Sequence, residues 1–186
     1  MKKIVKDVDK LSVPGIDVKS DDYNRVDRLL RLPMLTYLKD KAVGLAHSQI
    51  NFNDEPNLRA FAVKMNSTDV IKIFMNPTLN DVIMDHHGRV LSRNKPFRHY
   101  ERCLSVSGQC ETERVNSVTI EGKDYRGNEM FMSLNGMDAI VAQHEMDHIN
   151  GILIKNKCYC DNDCIESDTL MQGGKQSCSY DPRWHC

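Results

Sequence analysis

Two histidines and a glutamate stand at the spacing of an HExxH pattern in QHEMDH, residues 143–148. Four residues make slightly more than one helical turn, so on a helix His144 and His148 project from the same face. Two imidazoles on one face can bind a single divalent metal ion. Glu145, beside the first of them, can then act as general base toward a water at that metal. The pattern predicts hydrolytic metal chemistry.

A pattern this short also recurs by chance, and the alternative is a solvent-exposed helix face with incidental histidines. Here both histidines fall on the apolar stripe of the predicted helix, together with Ile140 and Val141. Burial of two imidazoles on such a stripe without partners would cost free energy. The neighbouring residues therefore favour the metal site.

A catalytic metal site needs a third protein ligand and an open position for water. No histidine follows shortly after His148, since the next is His185, near the end of the sequence. The best upstream candidate is Cys103, although a single thiol in a β-rich segment, taken alone, is more often a small buried side chain. Both interpretations of Cys103 stay open on the residues alone.

Gly44 and Gln49 form a further candidate pair in GLAHSQ, residues 44–49. A glycine lets another backbone approach closely, and the side-chain amide of Gln49 can donate a hydrogen bond to a developing oxyanion. A helix-ending glycine followed by an ordinary polar residue would explain the same letters.

The HExxH residues need a helix, and apolar residues at spacings of three and four predict one that begins at Asn135 or Gly136 and ends at Gly151. An earlier amphipathic helix is predicted from about residue 22 to 40, where Pro33 would kink it or split it.

The chain between these two helices is predicted to be mainly β-structure, whereas residues 1–19 have an irregular pattern. The many charged residues and histidines between residues 85 and 100 predict an exposed loop there. The predicted strands are Arg59–Lys64, Ile71–Met75 (closed by Asn76-Pro77) and a hairpin of Ser117–Glu121 with Glu129–Leu134.

The composition is that of one globular domain with an ordinary core. The chain has 186 residues, 40% of them hydrophobic and 27% charged, with a formal net charge of −1. This balance provides no global basic field for nucleic acid, and no apolar run is long enough for a membrane span. The N-terminus shows neither a secretory nor a transit pattern, so we expect a cytoplasmic protein.

Seven cysteines are many for such a chain, and their odd number argues against a complete set of disulfides. The C-terminal cysteines could form a small structural zinc site, and the alternative is a disordered tail with free or oxidised thiols. The candidate ligands are Cys158, Cys160, Cys164 and Cys178, with His185 or Cys186 as substitutes.

Three ordered segments resemble the motifs of peptide deformylases, GxGLAAxQ, EGCLS and QHExDH. They are AVGLAHSQ at residues 42–49, ERCLS at 101–105 and QHEMDH at 143–148. The resemblance covers about residues 20–155. The chain departs from the motifs at Ala42, His47 and Arg102, and Ser107 replaces a frequent proline. Asn76-Pro77, Arg114, Asp124 and Gly127 also fit the family's pattern.

The resemblance implies an α+β fold in which mixed or antiparallel sheets pack around a central C-terminal helix that carries HExxH, with an N-terminal helix. We expect a catalytic domain over residues 1–157. The cysteine-rich tail over residues 158–186 lies outside the resemblance. The implied activity is metal-dependent removal of the formyl group from N-formylmethionine on new polypeptides, at the ribosome. Fe²⁺ is the expected metal, and Zn²⁺, Ni²⁺ or Co²⁺ could occupy the site.

The resemblance also implies residue roles. Cys103, His144 and His148 would be the metal ligands, and Glu145 would transfer protons. Gln49 and the backbone N–H of Leu104 would stabilise the oxyanion. The substrate-binding residues would be Val43, Gly44, Arg102, Ile140 and Val141, with the backbones of Gly44 and Arg102 binding the peptide as an added strand. His47 is expected at the pocket rim or in the core.

Arg102 is the most consequential departure. If the position needs positive φ, arginine would be strained there; alternatively, its charge could favour acidic peptides. The competing hypotheses are an HExxH amidase or metallopeptidase for another N-acyl group, and a catalytically impaired protein that binds peptide N-termini. The source, whether a bacterium or a phage acting in its host's cytoplasm, stays open.

Overall fold

The computed structural model describes residues 4–51, 55–80, 82–84, 90–93 and 95–158. In this part of the chain the helices are α1 (Val8–Leu11), α2 (Tyr23–Leu35) and α3 (Met137–Ile149). The strands are β1 (Gly44–Ala46), β2 (Ala60–Lys64), β3 (Ile71–Asn80), β4 (Val82–Met84), β5 (Val90–Arg93), β6 (Pro96–Arg102), β7 (Gln109–Val115), β8 (Ser117–Lys123) and β9 (Glu129–Asn135).

Helix α2 forms because its apolar residues recur on one face, where Val26, Leu30 and Met34 are buried. It ends at Leu35, five residues before the predicted end. Pro33 does not split the helix but lies in its last turn, where its missing N–H removes a helical hydrogen bond. The chain then turns. The sequence 1–19, predicted as irregular, contains the short helix α1.

Five strands form one antiparallel sheet in the order β1-β2-β3-β8-β9. The predicted hairpin is confirmed as β8 and β9. The predicted end of β3 at Asn76-Pro77 is wrong, because the strand continues to Asn80 through a register shift between Met75 and Thr78. Asn76 adopts a φ of 49°, and its side chain bonds both the N–H and the carbonyl of Val18 at 2.7 and 3.0 Å.

Two hairpin ribbons, β4–β5 and β6–β7, complete the strands of the described part. The predicted exposed loop is therefore wrong over Val90–Arg93 and Pro96–Tyr100; residues 85–89 and 94 lie outside the described residues. The strand was predicted as a loop because one face of β6 is in solvent and therefore carries charged and polar residues. In that strand Glu101 is buried, while Tyr100 and Arg102 on either side of it are exposed.

The sheet lies between α2 and α3, because alternate residues of β2 face opposite sides. Ala60 and Ala62 pack in the α2 cluster, whereas Phe61 and Val63 pack with α3. Helix α3 begins after Gly136 and ends before Gly151, as predicted, and both glycines have positive φ. The expected α+β fold with a central HExxH helix is confirmed. No helix of the described ranges is long and apolar enough to cross a membrane.

The β6–β7 ribbon is joined to the C-terminal segment by a disulfide between Cys110 and Cys158, whose Cα atoms are 5.1 Å apart. In this structure Cys158 is therefore not a zinc ligand, contrary to that part of the expectation. Cys160, Cys164, Cys178, His185 and Cys186 lie outside the described residues.

Candidate metal centre

One thiol and two imidazoles meet between the end of β6 and helix α3. The ligand atoms of Cys103, His144 and His148 all lie within 4.8 Å of one another. Cys103 Sγ is 3.2 Å from His148 Nε2. Thiolate and imidazole ligands on one tetrahedral ion are about 3.5 Å apart, given metal–ligand bonds of about 2.3 and 2.0 Å. The three side chains thus have the chemistry of a divalent metal site and lie close enough together to form one.

His144 is oriented by Glu101, whose Oε2 lies 2.7 Å from the Nδ1 of His144. This contact leaves Nε2 for the centre, the usual arrangement of a metal-binding histidine and its carboxylate partner. Burial lowers the pKa of His144, but hydrogen bonds to Cys103 and Glu101 outweigh it and raise the pKa to about 10. A divalent ion would compete with that proton for the same nitrogen.

Glu101 belongs to a buried charge network. Its carboxylate accepts hydrogen bonds from Thr112 Oγ1 at 2.7 Å and from Arg114 at 2.5 and 3.1 Å. Arg114 also donates to Asp147 at 2.7 Å, and Lys157 donates to the other Asp147 oxygen at 2.6 Å. Burial raises the pKa of Glu101, but the bonds to His144 and Arg114 outweigh it, so the pKa falls well below its usual range.

His148 is almost completely buried, and its Nε2 faces Cys103. Burial and the neighbouring His144 and Arg114 lower its pKa to about 3, so the imidazole is neutral. A neutral imidazole is the form that binds metals. Its Nδ1 has no hydrogen-bond partner in the part of the chain that the structure describes.

Glu145 is 4% exposed and points toward strand β1. Among the described residues its Oε2 has no hydrogen-bond partner, and burial raises the pKa of the carboxyl group to about 7. A Cβ at Gly44 would overlap Glu145 Oε1 and would lie 2.7 Å from Val141 Cγ1. Glycine at this position therefore leaves the room that the carboxylate occupies.

The side chain of Gln49 has a defined orientation. Its Oε1 accepts the N–H of Ala46 at 2.8 Å, so the NH₂ group must point into the centre. There Nε2 lies 3.3 Å from His148 Nε2 and 3.7 Å from Cys103 Sγ. The amide is a hydrogen-bond donor beside the two ligand side chains.

The loop after Cys103 is tied to the N-terminal segment. Lys6 Nζ donates to the carbonyl of Leu104 at 2.5 Å. The same peptide group carries the N–H of Ser105, which donates to Cys103 Sγ at 3.3 Å. The N–H of Val5 donates to the carbonyl of Gln49 at 2.8 Å. Two consecutive residues therefore fix both flanks of the centre.

The residues expected to bind substrate differ in their exposure. Val43 is 54% exposed, whereas Ile140 and Val141 are 6% and 8% exposed. Arg102 is exposed at the end of β6. Among described non-glycine residues only Asp69 and Asn76 have positive φ, so the possible strain at Arg102 is excluded. His47 is buried, and its Nδ1 accepts the N–H of Leu58 at 3.3 Å, which places it in the core.

Sequence reasoning assigned no role to Glu101, Arg114, Asp147 or Lys6. The two carboxylates could have been found from their closeness in sequence to the predicted ligands, because Glu101 precedes Cys103 by two residues and Asp147 directly precedes His148. Arg114 fits the family's pattern, but neither it nor Lys6 could be connected with the centre from the sequence, since each reaches it only through the fold. An α+β protein with a thiol, two imidazoles and a buried carboxylate at one point has the arrangement of a metallohydrolase.

Comparisons with known proteins define the family. The sequence profile of the polypeptide deformylase family matches residues 1–161. The chain is 27% identical to the peptide deformylase of Dictyoglomus turgidum over 174 residues, 91% of this chain and 99% of that protein. It is 30% identical to peptide deformylase 1 of Shewanella oneidensis over 122 residues, 63% of this chain and 62% of that protein.

The fold agrees with that result. A Plasmodium falciparum peptide deformylase, solved in complex with an inhibitor, superposes with a TM-score of 0.64 at 28% identity, covering 84% of this chain and 88% of that one. The chain belongs to the polypeptide deformylase family. The family is metal-dependent and acts on N-formylmethionyl peptides, from which it removes the formyl group. A role confined to binding peptide N-termini is not favoured.

Proposed function

We propose that this protein deformylates new polypeptides at a metal held by Cys103, His144 and His148. One observation carries the proposal: these three side chains converge next to Glu145, whose Oε2 has no hydrogen-bond partner among the described residues. Fe²⁺ is the proposed native ion, and Zn²⁺, Ni²⁺ or Co²⁺ suit the same thiolate and imidazole donors. When bound, such an ion acidifies a water toward a pKa of ~7 and polarises the formyl carbonyl.

Glu145 is the proposed proton carrier. Its unpartnered oxygen can accept a proton from the attacking water and later deliver it to the amine of the methionine. The oriented NH₂ of Gln49 and the backbone N–H of Leu104 donate hydrogen bonds to the oxygen that becomes negative. Glu101 and the Arg114 network hold His144 in place and do not touch the substrate.

The proposed methionine pocket is lined by Val43, Gly44, Ile140 and Val141. The buried Ile140 and Val141 supply apolar surface, and the exposed Val43 forms the rim. The peptide would lie between the end of β1 and the end of β6 as an added strand, bonded to the backbones of Gly44 and Arg102.

The wider setting is part of the proposal. We place the catalytic domain at residues 1–157 and a cysteine-rich extension at 158–186. The bonds of Lys157 to Asp147 and of Cys158 to Cys110 support a boundary near this point. The proposed site of action is the cytoplasm, on chains leaving the ribosome, without direct binding to nucleic acid or membrane. A net charge of −1 supports the last point.

The test is formate release from a short N-formylmethionyl peptide by protein purified without oxygen and loaded with Fe²⁺ or Ni²⁺. Glu145→Gln should keep the metal and the fold but lose roughly 10²–10⁴-fold in kcat, the usual contribution of a positioned general base. Glu121→Gln removes an exposed carboxylate on β8 and is the matched control.

Metal content, measured by elemental analysis on each variant, separates the outcomes. Loss of activity in Glu145→Gln with full metal supports the assigned role. A folded, metal-loaded wild type that releases no formate would overturn the proposed activity, and an active Glu145→Gln would overturn the role of Glu145 alone.

A further inference from the structure

Arg102 stands on the outer face of the β6–β7 ribbon, directly before Cys103 in the chain. Side chains alternate along a strand, so Glu101 points inward to His144 while Arg102 points outward. Across the ribbon Arg102 faces Gln109, and farther from the centre Arg98 faces Glu113.

The charges of this outer face differ along its length. Away from the centre, Arg98 pairs with Glu111 at 3.7 Å. At the end of β6 nearest Cys103, Arg102 hydrogen-bonds to the neutral amide of Gln109, with Nε and Nη2 each 3.4 Å from its Oε1. Within the described residues no carboxylate lies within 4.0 Å of Arg102. The residue directly before the ligand Cys103 therefore carries a guanidinium without a carboxylate partner among the described residues, and Lys6 adds a second cation at the carbonyl of Leu104.

The geometry of an added strand decides which substrate residue meets this cation. When the methionine side chain enters the pocket of Ile140 and Val141, the next residue must point to the opposite face, because side chains alternate. The opposite face is the outer one, where Arg102 lies. Directly neighbouring cross-strand side chains are close enough to interact.

We propose that Arg102 is a specificity-determining residue that favours peptides with Asp or Glu directly after the formylmethionine and disfavours Lys or Arg there. This inference rests on the proposed function. The planar guanidinium can bind a carboxylate with two parallel hydrogen bonds, one to each carboxylate oxygen. The amide of Gln109 offers only one acceptor oxygen, so it does not replace such a pair. Because the site is in solvent, the preference is modest: about two- to five-fold for each charge, hence about 4- to 25-fold between Glu and Lys.

The experiment compares kcat/KM for three peptides, formyl-Met-Glu-Ala, formyl-Met-Gln-Ala and formyl-Met-Lys-Ala, at low ionic strength and at about 1 M salt, where the Debye length is about 3 Å. Wild type should prefer Glu over Gln over Lys, and salt should shrink the Glu/Lys ratio. Arg102→Gln should bring the ratio to about one, Arg102→Lys should restore part of it, and Arg102→Glu should reverse it.

Arg98→Gln is the matched control, since it removes the same charge from the same face four residues away. It should leave the Glu/Lys ratio of the wild type in place. A wild type without preference, an Arg102→Gln ratio equal to that of wild type, or an equal effect of Arg98→Gln would each overturn the inference. Failure to cleave even the Gln peptide would instead count against the proposed function.

Discussion

The five-stranded sheet and the β6–β7 ribbon both pack beside the region of α3, but different forces hold them. The sheet presents fully buried apolar side chains such as Phe61, Phe74 and Ile120. The ribbon presents Glu101, Thr112 and Arg114, which are buried and charged or polar. The sheet thus supplies stability through apolar burial, whereas the ribbon sets the position and protonation of a metal-binding histidine.

The two regions should respond differently to substitution. Apolar packing loses free energy in proportion to the atoms removed, and neighbours relax around the change. A buried ion-pair network is sensitive to the loss of any one member, because the remaining charges keep their desolvation cost without compensation. Single substitutions can test this contrast.

The largest effect is expected from Arg114→Met in the ribbon. It leaves the carboxylates of Glu101 and Asp147 buried without their shared partner. We expect a loss of about 3–5 kcal/mol in the free energy of unfolding, together with a roughly 10–100-fold weaker metal affinity through His144. Urea denaturation and metal competition measure the two effects.

Arg126→Met is the matched control for that substitution, because Arg126 is exposed in the turn between β8 and β9. It should change neither quantity appreciably. If both variants lost the same stability and kept the same metal affinity, the ribbon network would have no special role in the centre.

A smaller effect is expected from Ile120→Val in the sheet, where Ile120 is fully buried. Removing one methylene should cost about 0.5–1.5 kcal/mol in the free energy of unfolding. Metal affinity and kcat/KM should stay within about two-fold of wild type, because Ile120 packs in the apolar cluster of the sheet and does not belong to the charge network around His144. A ten-fold fall in metal affinity would break the distinction between the two regions.

The smallest effect is expected from Lys6→Met, which leaves the carbonyl of Leu104 without its cation. Since that peptide also donates to Cys103 Sγ, we expect its N–H to become a weaker donor. In the Co²⁺-loaded protein the thiolate-to-cobalt absorption band should shift, and kcat should fall a few-fold. Lys6→Arg should restore both, and Lys19→Met, another exposed lysine, should change neither.

Much of the centre could be predicted from local sequence. The HExxH helix, its limits at Gly136 and Gly151, and the β8–β9 hairpin follow from short-range periodicity and turn residues. Strand β6 was missed because its exposed charges hide the alternation. The end of β3 was misplaced because Asn76 is held by Val18, which is distant in sequence.

The sequence by itself determined the donor chemistry: two imidazoles one helical turn apart, a carboxylate between them, and a thiol in an ordered set of motifs. Only the tertiary structure decided which nitrogen of His144 faces the centre, which way the Gln49 amide points, and how Arg114 and Lys6 reach the ligands. The physical reason is the sequence distance over which each kind of interaction acts. Helical spacing acts within one turn, whereas hydrogen bonds between residues distant in sequence exist only after the sheet, ribbon and helix have packed together.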